Sequence, residues 1–188
     1  MALKDFVFDA LLAENSLAQL ALIGISVRGS AAIPPTIDLS DKGFSPKLMY
    51  DAEKMSSVFS AYFCIENSAR DLIGERLSAR RGIDWWNIAV PIKIKAAVAK
   101  LKEKEEKNRY HTARSIDLIG YTVFGHLSQI IIATWDDFSD LFPELAWVSS
   151  RFTDLEMSRN IIMHTGTLPQ IEIDRVESIL RDWIRQVG

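Results

Sequence analysis

The chain is 188 residues long, with 22 Lys+Arg against 25 Asp+Glu and 48% hydrophobic residues. That composition excludes disorder and collagen-like repeats and fits one compact soluble domain, or a domain with a short appendage. A chain of this length buries roughly 70% of its unfolded surface, so no disulfide or metal staple is required. The single cysteine, Cys64, has no partner for a bridge or for a cysteine-based zinc site, which points to a reducing compartment or leaves the compartment open.

Leu17 to Val27 is apolar but too short to span a bilayer. Asp5, Asp9 and Glu14 precede it where a secretory signal carries Lys or Arg, so a cytoplasmic protein without a membrane partner is expected. Phe6, Leu11, Leu12, Leu17, Leu20 and Ala21 recur at helical spacing, with Ser16 as a cap, and predict one or two short helices. Gly29, Ser30, Pro34, Pro35, Asp41 and Gly43 then supply turn chemistry without periodicity. Residues 1–45 are thus expected to form a helical appendage and loop, and residues 46–188 a helical bundle.

From Pro46 to about Arg80, Met55, Val58, Phe59, Tyr62, Ile65, Ala69, Leu72, Ile73 and Leu77 recur every three or four residues, and Gly82 closes this first long helix. A second helix is expected from Asp84-Trp85-Trp86, with Pro91 in an early turn, to about Asn108. The third, Ile116 to Ile132, is apolar nearly all round, as a helix buried among others reads. An amphipathic turn at Trp135 to Phe142 leads to a fourth helix with Pro143 in its first turn, running to about Thr165. Gly166 and Pro169 separate it from a fifth around Val176, Ile179, Leu180, Trp183 and Ile184. No alternating pattern competes, and the fold class is all-α, a four- to five-helix bundle with an additional N-terminal helical segment.

Two charges fall on apolar faces. On the first long helix Glu66 shares the stripe of Met55, Phe59, Tyr62, Ala69 and Ile73. A carboxylate there must be paired, protonated or lining a wet cleft, because an unpaired buried charge costs several kcal/mol (~3–5). Arg159 lies within the arc of Val148, Phe152, Leu155 and Ile162 on the fourth helix and is the natural partner, while Asn67 and Arg70 adjoin Glu66. Glu156, Asn160 and His164, four residues apart, form a polar strip along the edge of that arc.

The run Arg159-Asn160-Ile161-Ile162-Met163-His164 resembles the Arg-Asn-x-x-x-His signature of the HEPN superfamily, all-helical domains many of which are metal-independent endoribonucleases. Wider similarity covers about residues 50–165. It includes Tyr62 to Ile73, Asp84-Trp85-Trp86, Gly120 to Leu127 and Ile130-Ile131. These segments are similar to the HEPN branch of a eukaryotic nuclear transcript-surveillance endoribonuclease and of bacterial conflict-system proteins. A tyrosine three residues after the motif histidine, adenylylated by the antitoxin in one toxin branch, is replaced by Thr167.

The resemblance implies an endoribonuclease that needs no cofactor or metal, acting as a toxin or antiviral effector under a restraining antitoxin or regulatory protein. The alternative is a catalytically silent module for nucleotide binding or assembly. For catalysis, His164 exchanges a proton with the 2′-hydroxyl and Arg159 grips the scissile phosphate. Asn160, about 40° from His164 on an ideal helix, orients the imidazole or contacts phosphate, Glu66 holds Arg159 extended, and Asn67 adds a hydrogen bond. Proton donation to the leaving oxygen falls to a second His164 in a homodimer, which would also cover an apolar edge of Trp147, Ile161 and Met163. Positive charge concentrates between Arg76 and Arg114, with 11 Lys+Arg against 4 acids there and 11 against 21 elsewhere. Arg76, Arg80, Arg81, Lys93 and Lys95, with the run to Arg109, Tyr110 and His111, are the candidate RNA contacts. Trp85 and Trp86 either plug the bundle end or stack on bases, and His126 reads as a hydrogen-bonded core residue.

Overall fold

The computed structural model describes residues 37–39, 42–108, 110 and 112–188. The chain divides into two units, Met1–Ser45 and Pro46–Gly188. The expected N-terminal helices, Arg109 and His111 lie outside the described residues. Among the described residues there is no strand, and the fold is an all-α bundle of six helices. These are α1 (Pro46–Arg81), α2 (Trp85–Ala89), α3 (Ile92–Glu106), α4 (Phe124–Ala133), α5 (Leu145–Met163) and α6 (Gln170–Val187). No helix among the described residues is long and apolar enough to cross a membrane.

The α1 stripe of Met55, Val58, Tyr62, Ile65, Ala69, Ile73 and Leu77 is buried, which is what its three- and four-residue spacing demands. Gly82 ends the helix at φ 83°, its N–H donating to Ser78 O at 2.9 Å. Glycine takes that left-handed conformation without a Cβ penalty.

Two expected helices are broken. Pro91 splits the second into α2 and α3, with Val90 extended at ψ 132°. Proline's ring pushes the preceding residue out of the helical region and removes a donor. The third, expected to be continuous from Ile116, is a 3₁₀ turn at Leu118–Tyr121, an extended Thr122-Val123 pair, and then α4. Thr122 Oγ1 donates to Ile119 O at 2.6 Å, closing the turn locally, and two β-branched residues in succession favour extension. Pro143 precedes α5, whose N-cap is Glu144.

In the core, the α1 stripe meets Leu127, Ile130 and Ile131 of α4, Val148, Phe152 and Leu155 of α5, and Val176, Ile179 and Trp183 of α6. Phe152 sits 5.5 Å from both Phe124 and Trp183, ring centre to ring centre. Trp183 Nε1 donates to Ser68 Oγ at 3.0 Å, so the indole is buried with its polar atom answered. Helices α1 and α5 run antiparallel: Met55 Sδ accepts from Leu168 N, just beyond α5, whereas Glu66 meets Arg159. The motif-bearing end of α5 is thereby carried against the middle of α1.

Candidate active site

Glu66 is 5% exposed. Its Oε1 accepts from Arg70 Nη2 at 2.6 Å, and its Oε2 lies 3.3 Å from Arg159 Nε. The nearer arginine is thus the one a turn away on α1, where a Glu and an Arg at i and i+4 naturally meet. Arg70 also donates to Asn67 Oδ1 at 2.9 Å and to Thr122 O at 2.6 Å. It therefore fastens α1 to the extended break before α4. Asn67, whose amide donates to Phe63 O at 2.8 Å, braces Arg70 rather than Arg159.

Burial lifts the Glu66 carboxyl above its ordinary pKa. Arg70 and Arg159 pull it back, and Glu156 pushes it further up. The same burial lowers the Arg70 guanidinium, against the pull of Glu66. Glu156 takes the N–H of Gly125 in the first turn of α4, where free backbone donors favour an anion. A Cβ on Gly125 would come 2.9 Å from that carboxylate oxygen, so glycine keeps the approach open.

Arg159 is held through Nε alone: among the described residues neither of its Nη atoms has a protein hydrogen-bond partner, and its side chain is 22% exposed. Asn160 and His164 are exposed, and neither side chain has a hydrogen-bond partner among the described residues. His164 stands at the very end of the expected strip. It is the C-cap of α5, at φ −101° and ψ 24°, and Thr165 follows at φ 61°. Thr165 N donates to Ile162 O at 2.9 Å and Gly166 N to Ile161 O at 2.8 Å, the paired bonds of a Schellman ending. The last helical residue is thus Met163, and His164 stays tied to Asn160 by the helical bond from its N–H to Asn160 O at 3.2 Å.

The apolar edge expected to drive dimerisation is not one edge. Ile161 and Met163, 41% and 49% exposed, lie roughly 160° apart around α5. Trp147 is covered within the chain by Phe142, 5.5 Å away, and by the Arg151 guanidinium at 4.2 Å.

The arginines expected on an RNA path are also engaged. Arg76 donates to Asp137 O and pairs with Asp140, Arg80 pairs with Asp140 at 3.0 Å, and Arg81 pairs with Asp137 at 2.6 Å. These partners sit in the turn after α4, remote in sequence, so α1 alone gave no sign of them. Lys95 Nζ donates to Asn87 O at 2.8 Å, while Lys93 is exposed. Lys93, Lys100 and Lys104 lie within about 40° of one another on α3, as a straight stripe.

His126, expected to be hydrogen-bonded, is half-buried with Nδ1 buried and unpartnered. Trp85 and Trp86 pack partly against the core. Among the described residues no three His, Cys, Asp or Glu side chains are grouped to hold a metal ion. Comparison with family models finds no match to this chain, and comparisons with the curated proteins and the solved structures find none either.

Proposed function

We propose that this chain is a metal-independent endoribonuclease of the HEPN type, acting as a toxin or antiviral defence effector. One observation carries the proposal: an arginine anchored by a buried carboxylate with both Nη atoms open, on a helix that ends at an exposed histidine five residues on. Arg70, the other arginine on Glu66, has both terminal nitrogens answered within the protein, which leaves Arg159 as the member of that cluster with Nη donors to offer a phosphate.

In the proposed reaction the Arg159 Nη atoms hold the scissile phosphate, and attraction strengthens as charge builds on its oxygens. His164 removes the proton of the 2′-hydroxyl, whose oxygen attacks phosphorus. The bond from phosphorus to the 5′-oxygen breaks, and that oxygen takes a proton from His164 of a second copy in a homodimer. The products are a 2′,3′-cyclic phosphate and a 5′-hydroxyl. Lys93 and the other exposed lysines of α3 supply positive potential for the RNA backbone. A restraining antitoxin or regulatory protein fits a nuclease that would harm its own cell.

The second reading is a catalytically silent helical module for nucleotide binding or assembly. It is favoured by the absence, among the described residues, of any side chain that orients the His164 ring. Cleavage of a defined RNA decides between them. Activity should persist in excess EDTA, leave cyclic phosphate ends, and vanish on a substrate with 2′-deoxyribose at the scissile position. Magnesium-dependent products with 5′-phosphates, or no cleavage by a folded homodimer, would remove the proposal.

A further inference from the structure

We propose that Phe59 and Phe63 of α1 form a stacking platform for the nucleobase next to the phosphate held by Arg159. The two rings are 39% and 61% exposed, whereas Tyr62 on the same helix is buried. Phe59, Phe63, Glu66 and Arg70 fall within about 60° of one another around an ideal helix, so they share one edge of α1. Asn67 ties that edge together, donating to Phe63 O at 2.8 Å and accepting from Arg70 Nη1 at 2.9 Å. Among the described residues neither exposed ring meets another aromatic ring or a guanidinium.

The packing of α1 against α5 sets these rings beside the candidate site. The two antiparallel helices are tied at Glu66 to Arg159 and at Met55 to Leu168. Phe59 and Phe63 lie between those ties on α1, and Asn160 and His164 lie between them along α5 and its end, so the rings run level with the motif. Helix α4 extends along α1 away from them: it begins just after Thr122, which accepts from Arg70, and ends before Asp137, which accepts from Arg76 and Arg81. Met163, 49% exposed and about 40° from Arg159 around α5, adds apolar surface on the facing helix. An apolar strip beside an arginine with two open Nη atoms suits a ligand that carries an anion and a flat apolar face on one short frame. A nucleotide is such a ligand, because every base offers a π-face to an aromatic ring and its phosphate is one sugar away. An apolar helix laid on the strip would cover the rings and leave the Arg159 donors unanswered. In a duplex both faces of a base are already stacked, so the platform takes an unpaired nucleotide. The inference rests on the reading of Arg159 as a phosphate anchor and gives the proposed nuclease its hold on the base.

Fluorescence anisotropy of the full chain with a short single-stranded 2′-O-methyl RNA, which cannot be cut through its 2′-oxygen, tests the platform against the same strand made of abasic nucleotides. The base-bearing strand should bind at least about tenfold more tightly. Phe59→Leu combined with Phe63→Leu, which keeps apolar side chains at two exposed positions, should remove most of that advantage and leave the abasic strand unaffected. Arg159→Ala should weaken both strands alike. Phe63→Trp, with a larger π-face, should tighten the base-bearing strand alone. On cleavable RNA the double Leu variant should raise KM about tenfold with kcat little changed. If the wild-type chain cuts no RNA but base-dependent binding is lost in the double variant, the nuclease reading fails and the platform stands. Equal binding of the two strands by the wild-type chain, no binding of either, or an advantage that survives the double variant overturns the platform whether or not RNA is cut. So does a wild-type dimer that the double variant dissociates without changing base-dependent binding, which would assign the strip to a second copy of the chain.

Discussion

Helix α1 carries two arginine–carboxylate clusters, and they are built to opposite ends. Around Arg76, Arg80 and Arg81 the aspartates of the 135–142 turn answer every guanidinium, and the Arg76 guanidinium also lies 5.7 Å from the Phe138 ring centre. That cluster pins a turn to a helix. Around Glu66 one buried carboxylate is shared by two arginines: Arg70 has partners at both Nη atoms while its Nε is buried without one, and Arg159 is held the other way round, through Nε. The lesson is that the number of arginines in a cluster says less than what anchors each one. Arg81, like Arg159, is held through Nε with both Nη atoms without a protein partner among the described residues, and Arg159 differs in sharing its buried carboxylate with a second arginine and in lying five residues before His164.

Kinetics offers the sharpest way to break this contrast. Arg159→Ala and His164→Ala should each lower the cleavage rate roughly 10² to 10⁴-fold, the range for losing a transition-state charge partner or a general base. Asn160→Ala should cost less. Arg76→Ala should leave the rate within a few-fold of wild type while lowering stability by about 1–3 kcal/mol, because it removes charge-assisted hydrogen bonds to a part-buried turn. Rate losses of equal size in Arg76→Ala and Arg159→Ala, with both variants folded, would erase the distinction.

Stability gives the next largest effect. Glu66→Ala should destabilise the fold by about 3–5 kcal/mol, measured by urea unfolding at neutral pH, since it leaves two arginines without their common partner. Glu66→Gln should cost less and should report on pH. Because burial raises the folded-state pKa of Glu66 above its ordinary value of 4.5, its contribution to stability is full below that value and is lost as pH rises through the folded pKa. The stability difference between wild type and Glu66→Gln should therefore move in the variant's favour as pH increases across that window. Movement in the opposite direction would mean that pairing with Arg70 and Arg159 outweighs burial.

Much of this was legible in the residues. The stripe of α1 and the misplaced charge at Glu66 followed from periodicity alone, and a charge on an apolar face had to find a partner. The dominance of Arg70 over Arg159 was readable in principle from the four-residue spacing. What sequence could not supply was long-range pairing: Asp137 and Asp140 reach the end of α1 only once the fold is made. Local backbone breaks were also missed, since Thr122 and Val123 read as buried helix by hydropathy while their β-branching and a short side-chain bond took them out of it. Glu156 stood on the expected polar strip, yet its role as acceptor for the start of α4 depended on that unforeseen break.

Thr165 carries the smallest predicted effect and bears most directly on how His164 is held. A left-handed residue ends α5, and the position is filled by a β-branched side chain at φ 61° instead of the usual glycine. The glycine comes one residue later, where close packing requires it: a Cβ on Gly166 would come 2.6 Å from Ile161 Cγ2 and 2.9 Å from Ile161 O. The left-handed conformation costs a non-glycine residue about 1–2 kcal/mol, partly offset here by the Thr165 hydroxyl donating to His164 O at 2.6 Å. Thr165→Gly should relieve that strain and give part of it back as unfolded-state entropy, roughly 0.4–1 kcal/mol. A net gain of about 0.5–1 kcal/mol is expected, read as a rise of roughly 1–4 °C in Tm. If the threonine is there to hold the histidine in place, the same variant should be slower despite being more stable, with kcat falling and KM little changed. A Tm that drops would show the threonine to be unstrained. A raised Tm with an unchanged rate would show that the helix ending is strained for reasons unconnected with His164.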